Sequence, residues 1–134
     1  MTLLNAELHI NVSILKENIC YLKTRIDKKS NFLAVVKANA YGHSLKKFVE
    51  KLDDCVDGYA LVRLDEALQV RDLSKKPILL MQGIYDDDEA LIAKRNGFMC
   101  VLHTQEQIRT YSRNLENKNI WLKVNTGMNR LGFS

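Results

Sequence analysis

The 134-residue sequence contains one proline, six glycines and three cysteines. No linker, low-complexity segment or internal repeat interrupts it, so it reads as one continuous domain with a single core. No apolar run approaches the ~20 residues that span a bilayer. The N-terminal residues 1–7 lack the basic start and long apolar stretch of a secretory signal, so the expected location is the cytoplasm. Cys20, Cys55 and Cys100 are odd in number, widely spaced and without a Cys-x-x-Cys pair. That argues against a disulfide framework and for reduced thiols. Cys100, inside the apolar run Phe98–Leu102, is expected to pack as a small hydrophobe. His9, His43 and His103 have no metal-ligand spacing, and no metal is expected.

A charge field of one sign is missing too. The net charge is +4 and the pI about 9.0. The lysines come in scattered pairs, Lys28-Lys29, Lys46-Lys47 and Lys75-Lys76, separated by acids and without interleaved aromatics. Solvated surface explains them better than nucleic acid does.

What is present is a rhythm. Apolar runs cover Phe32–Val36, Gly58–Val62, Pro77–Met81, Phe98–Leu102 and Asn119–Val124. After the first gap they recur every 19 to 21 residues, with helical patterns between them. Nearly continuous apolar runs suit parallel strands covered on both faces. Pro77 opens its run, where a missing N–H costs least. Leu15, Ile19, Leu22 and Ile26 predict a first helix, capped by Asn11 or Ser13. Leu45, Phe48, Val49 and Leu52 predict a second, and Asp65 and Glu66 open a third around Leu64, Leu68 and Arg71. Residues 86–89, all acidic, suit a first turn better than a metal site, because consecutive side chains diverge. Thr104 and Gln107 fit a capping box. The class is α/β, either an open doubly wound sheet or part of a (β/α) barrel. No Gly-x-Gly-x-x-Gly follows the first strand, which weakens the dinucleotide-binding form of the open sheet.

One lysine stands out. Lys37 is expected to end the first strand, on the same face as Leu33 and Val35, before a turn with Asn39, Tyr41, Gly42 and His43. An amine held against apolar neighbours loses preference for its charged form, as a nucleophile for a carbonyl requires. Lys123 near the end of the fifth strand shares a face with Trp121 and Asn125, while Ile120, Leu122 and Val124 face the helices. Arg130 follows in the next loop. Parallel strands would bring Lys37, Lys123 and Arg130 to the same rim.

The segment Ala34–His43 resembles the cofactor-lysine motif of alanine racemases, and Leu122–Phe133 resembles a second signature of that family, in the family's order. The resemblance runs from about Leu8 to the last residue. It implies a pyridoxal phosphate enzyme, a homodimer that interconverts L- and D-alanine and supplies D-alanine for the bacterial cell wall. It implies the N-terminal portion of a (β/α)8 TIM barrel of about five βα units. Residues 1–134 would form that part of the cofactor-binding domain, with the family's C-terminal β domain absent. By the same resemblance Lys37 binds pyridoxal phosphate covalently and is the base on one face of the substrate. Tyr41 contacts the cofactor phosphate, and Arg130 lies near the substrate carboxylate and the cofactor ring hydroxyl. Lys123 is the residue that takes up carbon dioxide as a carbamate and so pairs with Arg130. The opposite base, a tyrosine of the partner subunit's C-terminal domain, is not in this chain.

Asn125, Asn129 and Ser44 depart from the family's commonest residues (aspartate, glycine and glycine), which leaves the choice of small amino acid open. The alternatives are another pyridoxal phosphate barrel racemase and a non-catalytic cofactor-binding or structural barrel. A partial barrel is expected to self-associate through its open edges and to be inactive alone.

Overall fold

The computed structural model describes residues 7–114 and 120–134. Its elements are α1 (Val12–Lys23), β1 (Leu33–Val35), α2 (Lys37–Tyr41), α3 (Leu45–Leu52), β2 (Gly58–Leu61), α4 (Leu64–Leu73), β3 (Ile78–Leu80), α5 (Asp87–Asn96), β4 (Met99–Leu102), α6 (Gln105–Asn114) and β5 (Ile120–Leu122). The strands are parallel and pair in sequence order, β1-β2-β3-β4-β5. A doubly wound sheet reverses its order part-way, and this one does not. The chain therefore forms a five-strand section of a (β/α) barrel wall. Each expected apolar run holds a strand, shorter than the run itself. Asn119, expected to start the fifth run, lies outside the described residues.

Side-chain alternation divides the sheet into two apolar layers. Ala34, Tyr59, Ile78, Leu80, Cys100 and Leu102 join the main core with the helices, including Val49, Leu52, Ala67, Val70 and Ala93. Ala60, Leu79 and Val101 form a second cluster on the other face, flanked by Met81 and Met99. The register sets Val35 beside Ala60, Ala60 beside Leu79 and Leu79 beside Met99 on that face. The open alternation at the last strand is as expected, but its burial is not. Ile120, Leu122 and Val124 are exposed on one side, and so is Trp121 on the other. An edge strand has a neighbour on one flank only.

The helices follow the sequence signals with two differences. Of the two candidate caps of α1, Asn11 is the one used, accepting from the Ile14 N–H at 3.1 Å. Within α1 only Ile19 is buried, while Leu22 is exposed and Ile26 lies exposed beyond the helix end. The expected capping box is half formed. The Thr104 hydroxyl accepts from the Gln107 N–H at 3.2 Å, but the Gln107 carboxamide turns to the His103 N–H at 2.9 Å and the Gln82 carbonyl at 2.7 Å. In α5 the acids behave as a cap and first turn, with Asp86 accepting from the Glu89 N–H at 2.8 Å.

Cys100 is fully buried, and burial pushes its thiol up to about 12. It packs as a hydrophobe, as expected. A polar knot forms near the start of β2. The buried Tyr59 hydroxyl donates to Asp53 at 3.0 Å, the Ser74 hydroxyl donates to the same oxygen at 2.5 Å, and the Lys76 amine donates to the Asp53 and Val56 carbonyls. Burial first, and Asp53 second, raise the Tyr59 phenol well above its usual range. This knot sits at the opposite end of the strands from the candidate site.

Asp57 fixes the entry to β1. One oxygen accepts from Lys23 of α1 at 2.8 Å and the other from the Phe32 N–H at 2.7 Å. The Lys23 bond first, then the Phe32 bond, hold its carboxyl below the usual carboxylate range. A depressed folded value stabilises the fold fully above the unfolded value of ~3.9 and loses that contribution as pH falls through the folded value. Denaturation midpoints measured from pH 7 to pH 2 should therefore drop for the native chain. Asp57→Asn should be less stable at pH 7 and show a shallower fall below about pH 4.

Candidate active site

The last ladder bond between β1 and β2 runs from the Val36 N–H to the Ala60 carbonyl at 3.0 Å. The strand ends at Val35, so Lys37 does not end it, as the sequence suggested, but opens the turn α2. That turn is wound left-handed. Ala38, Asn39, Ala40 and Tyr41 have φ of 52°, 55°, 53° and 55°, and none is glycine. Such a conformation costs roughly 1–2 kcal/mol per residue. Four in a row persist only where surrounding contacts over-determine them. The backbone closes on itself, Ala40 N–H to Val36 carbonyl and Gly42 N–H to Ala38 carbonyl, both at 2.9 Å. Gly42 continues it at φ 84°, in open space, so glycine is there for conformation rather than room.

Three contacts from outside hold the turn. The Asn39 N–H donates to the Glu66 carboxylate at 2.8 Å. The Asn39 side chain accepts from the Leu45 N–H at 2.8 Å and so caps α3, whose preceding residue Ser44 offers no cap of its own. A His43 ring nitrogen lies 2.9 Å from the Ala40 carbonyl, so His43 closes the turn. Ala40 is buried in the main core.

The result is a defined pair. Lys37 is half-buried, and its amine stands 6.0 Å from the centroid of the Tyr41 ring. Tyr41 is 58% exposed. The structure brings these two sequence-predicted residues together.

Lys123 and Arg130 form a separate half at the other edge of the sheet. Neighbouring strands lie ~4.8 Å apart, so β1 and β5, four intervals apart, are roughly 19 Å distant along the wall. The Lys123 N–H donates to the Leu102 carbonyl at 2.9 Å, one residue beyond β5, and the residue is half-buried. Arg130 is exposed and makes no ion pair among the described residues. All strands being parallel, both halves lie at the same C-terminal end, but they do not touch.

The loop that carries Arg130 is organised by Asn125. Its side-chain oxygen accepts from the Gly127 N–H at 3.1 Å and the Asn129 N–H at 3.0 Å, and its amide donates to the Asn129 side-chain oxygen at 2.8 Å. The loop returns through Asn125 N–H to Phe133 carbonyl at 2.7 Å and Phe133 N–H to Lys123 carbonyl at 2.9 Å. Gly132 makes that return feasible. It has φ 119°, and a Cβ there would stand 2.8 Å from the Asn125 nitrogen.

Sequence reasoning missed Glu66 and Asn39 as site residues. Glu66 was read only as an acid opening the third helix, yet it is only 8% exposed. The available signal was its spacing: it lies one turn before Val70, on the helix face that packs inward.

A family model described as "Alanine racemase, N-terminal domain" matches residues 10–134. The chain belongs to that family. It is 42% identical over 132 residues to an alanine racemase of Mannheimia succiniciproducens, covering 96% of this chain and 37% of that protein. The biosynthetic alanine racemase of Pseudomonas aeruginosa superimposes with a TM-score of 0.81 at 36% identity, covering 89% of this chain and 34% of that one. The alanine racemase of Bartonella henselae, solved with covalently bound pyridoxal phosphate, gives a TM-score of 0.81 at 26% identity, covering 93% of this chain and 38% of that one. The chain thus spans little more than a third of the length of the curated relatives it matches. The expected fold, the first part of an alanine racemase TIM barrel, is the fold observed.

The residues of this racemase-family domain fit pyridoxal phosphate by the chemistry of their donors. A half-buried primary amine suits an aldehyde carbon. A phenol hydroxyl without a protein partner among the described residues, on the same turn, suits a phosphate oxygen.

The Asn125–Asn129 pairing yields a test. Asn125→Asp replaces the donor amide with an oxygen that faces the Asn129 oxygen, which should cost about 1–2 kcal/mol locally. Hydrogen exchange over residues 125–133 should quicken. Adding Asn129→Gly removes the second oxygen and suits φ 55°, so the double variant should recover most of the protection.

Proposed function

We infer that this chain carries one half of the active centre of an alanine racemase and acts in interconverting L- and D-alanine for the bacterial cell wall. The observation that carries this reading is the Lys37–Tyr41 pair, held at 6.0 Å by a left-handed turn on the C-terminal rim of β1. On this reading residues 1–134 are the N-terminal part of a pyridoxal phosphate-binding barrel, and the bound cofactor supplies the electron sink that makes the substrate Cα–H acidic.

The protein's own residues then divide the work. The Lys37 amine would hold the cofactor through its aldehyde carbon, and it is the group that would take or return the proton on one face of the substrate Cα. The Tyr41 hydroxyl donates to the cofactor phosphate. Arg130 presents its fork of donors to the substrate carboxylate and the ring hydroxyl. Two unpaired cations so close to one centre would repel each other. Lys123 resolves this as a carbamate, an anion that accepts from Arg130. The acid/base group for the opposite face comes from a second copy of the protein, which makes the active form a homodimer. The cytoplasm suits this protein, whose three cysteines are free.

In the full-length enzyme, Lys37→Ala should abolish the cofactor's lysine-bound absorbance and lower racemisation at least about 1,000-fold, read by chiral chromatography. Tyr41→Phe should keep the absorbance and weaken cofactor affinity about tenfold, as loss of one hydrogen bond to a charged group predicts. Full cofactor uptake and turnover by Lys37→Ala would refute the assignment.

A further inference from the structure

Glu66 is a buried carboxylate with one oxygen accounted for. Oε1 accepts from the Asn39 N–H at 2.8 Å, while Oε2 is buried with no hydrogen-bond partner. A buried charge with an open oxygen is costly to keep. The neighbouring acid of the same first turn, Asp65, behaves ordinarily, paired at the surface with Arg63 at 2.9 Å. Both acids lie in the first turn of α4, so the dipole does not explain why Glu66 alone points inward.

The left-handed turn does explain it. In a helical turn the first N–H groups have no partner within the turn. Here the first to find one is Ala40, bonded back to Val36. The Asn39 N–H precedes it and is met by Glu66 from another element, as a capping side chain meets a helix end. Asn39 is then fixed twice, through its N–H to α4 and through its side chain to α3. Lys37 and Tyr41 stand two residues either side of it.

We propose that Glu66 is a positioning residue: by holding the Asn39 N–H it maintains the left-handed turn that sets Lys37 and Tyr41 against each other. The role rests on the reading of Lys37 as the cofactor lysine, but its structural half can be tested without cofactor. Glu66 touches neither substrate nor cofactor on this account. It acts only through the turn.

Three variants of the full-length protein separate this from simple packing. Glu66→Ala removes the acceptor and should speed hydrogen exchange of the amides at 38–41 at least about tenfold, leaving β2 and β3 protected. Glu66→Gln keeps an acceptor of the same reach and should stay close to the native rate. Adding Ala38→Gly to Glu66→Ala relieves the strain that Glu66 offsets, because glycine adopts φ 52° freely. That double variant should recover protection, and the pyridoxal phosphate absorbance lost in Glu66→Ala should return with it. Unchanged exchange at 38–41 in Glu66→Ala would overturn the proposal. So would loosening of the whole sheet that Ala38→Gly does not relieve. If the native enzyme took up no pyridoxal phosphate, the reading of Lys37 would fall, while the exchange rates would still decide the role of Glu66.

Discussion

Val36 is where the sheet hands over to the site. Its N–H makes the last rung of the β1–β2 ladder, to Ala60 at 3.0 Å, and its carbonyl accepts the first bond of the left-handed turn, from Ala40 at 2.9 Å. Its side chain is 1% exposed in the main core. One residue thus couples a rigid parallel sheet to a strained segment, and the position of the Lys37 amine depends on that coupling. The strain is tolerable because the middle of the turn is held by better-packed parts: Ala40 by the core, Asn39 by α3 and α4. Strained backbone on a stiff frame is a common way to fix a reactive group.

The Lys123–Arg130 half is built by different means. No burial anchors it, since the loop residues 126–130 are exposed. Its shape comes from local hydrogen bonds, above all those of Asn125, and from the glycine that lets the chain return beside its own backbone. The turn of the first half is thus held by tertiary contacts and the loop of the second by local hydrogen bonds. The two share a rim because every strand runs the same way, which is also why the polar knot around Asp53 and Tyr59 falls at the opposite end. Barrels commonly separate stability from chemistry in this way.

Much of the fold was legible. The spacing of apolar runs located all five strands, and stripes such as Leu45, Val49 and Leu52 located buried helix faces. Lys37 drew notice as an amine after an apolar run and Tyr41 through the resemblance, and the structure sets the two on one turn. The first-helix stripe was over-read, since periodicity marks a face without saying how much of it is covered. Leu22 is exposed in spite of its place. The strand end at Lys37 was misjudged because a left-handed turn built from alanine, asparagine and tyrosine carries no glycine to announce it. Glu66 was missed because an acid in a first turn already has an ordinary explanation.

By itself the sequence determined the order of strands and helices, their parallel direction and the identity of the chemical groups on the rim. These follow from hydrophobic period and residue type, which are local properties. Only the tertiary structure decided how Lys37 is aimed. That depends on a bond between Asn39 and Glu66, 27 positions apart in the chain, and on a backbone hand that isolated residues would not choose. A contact of that kind compensates strain only after the sheet has brought its partners together.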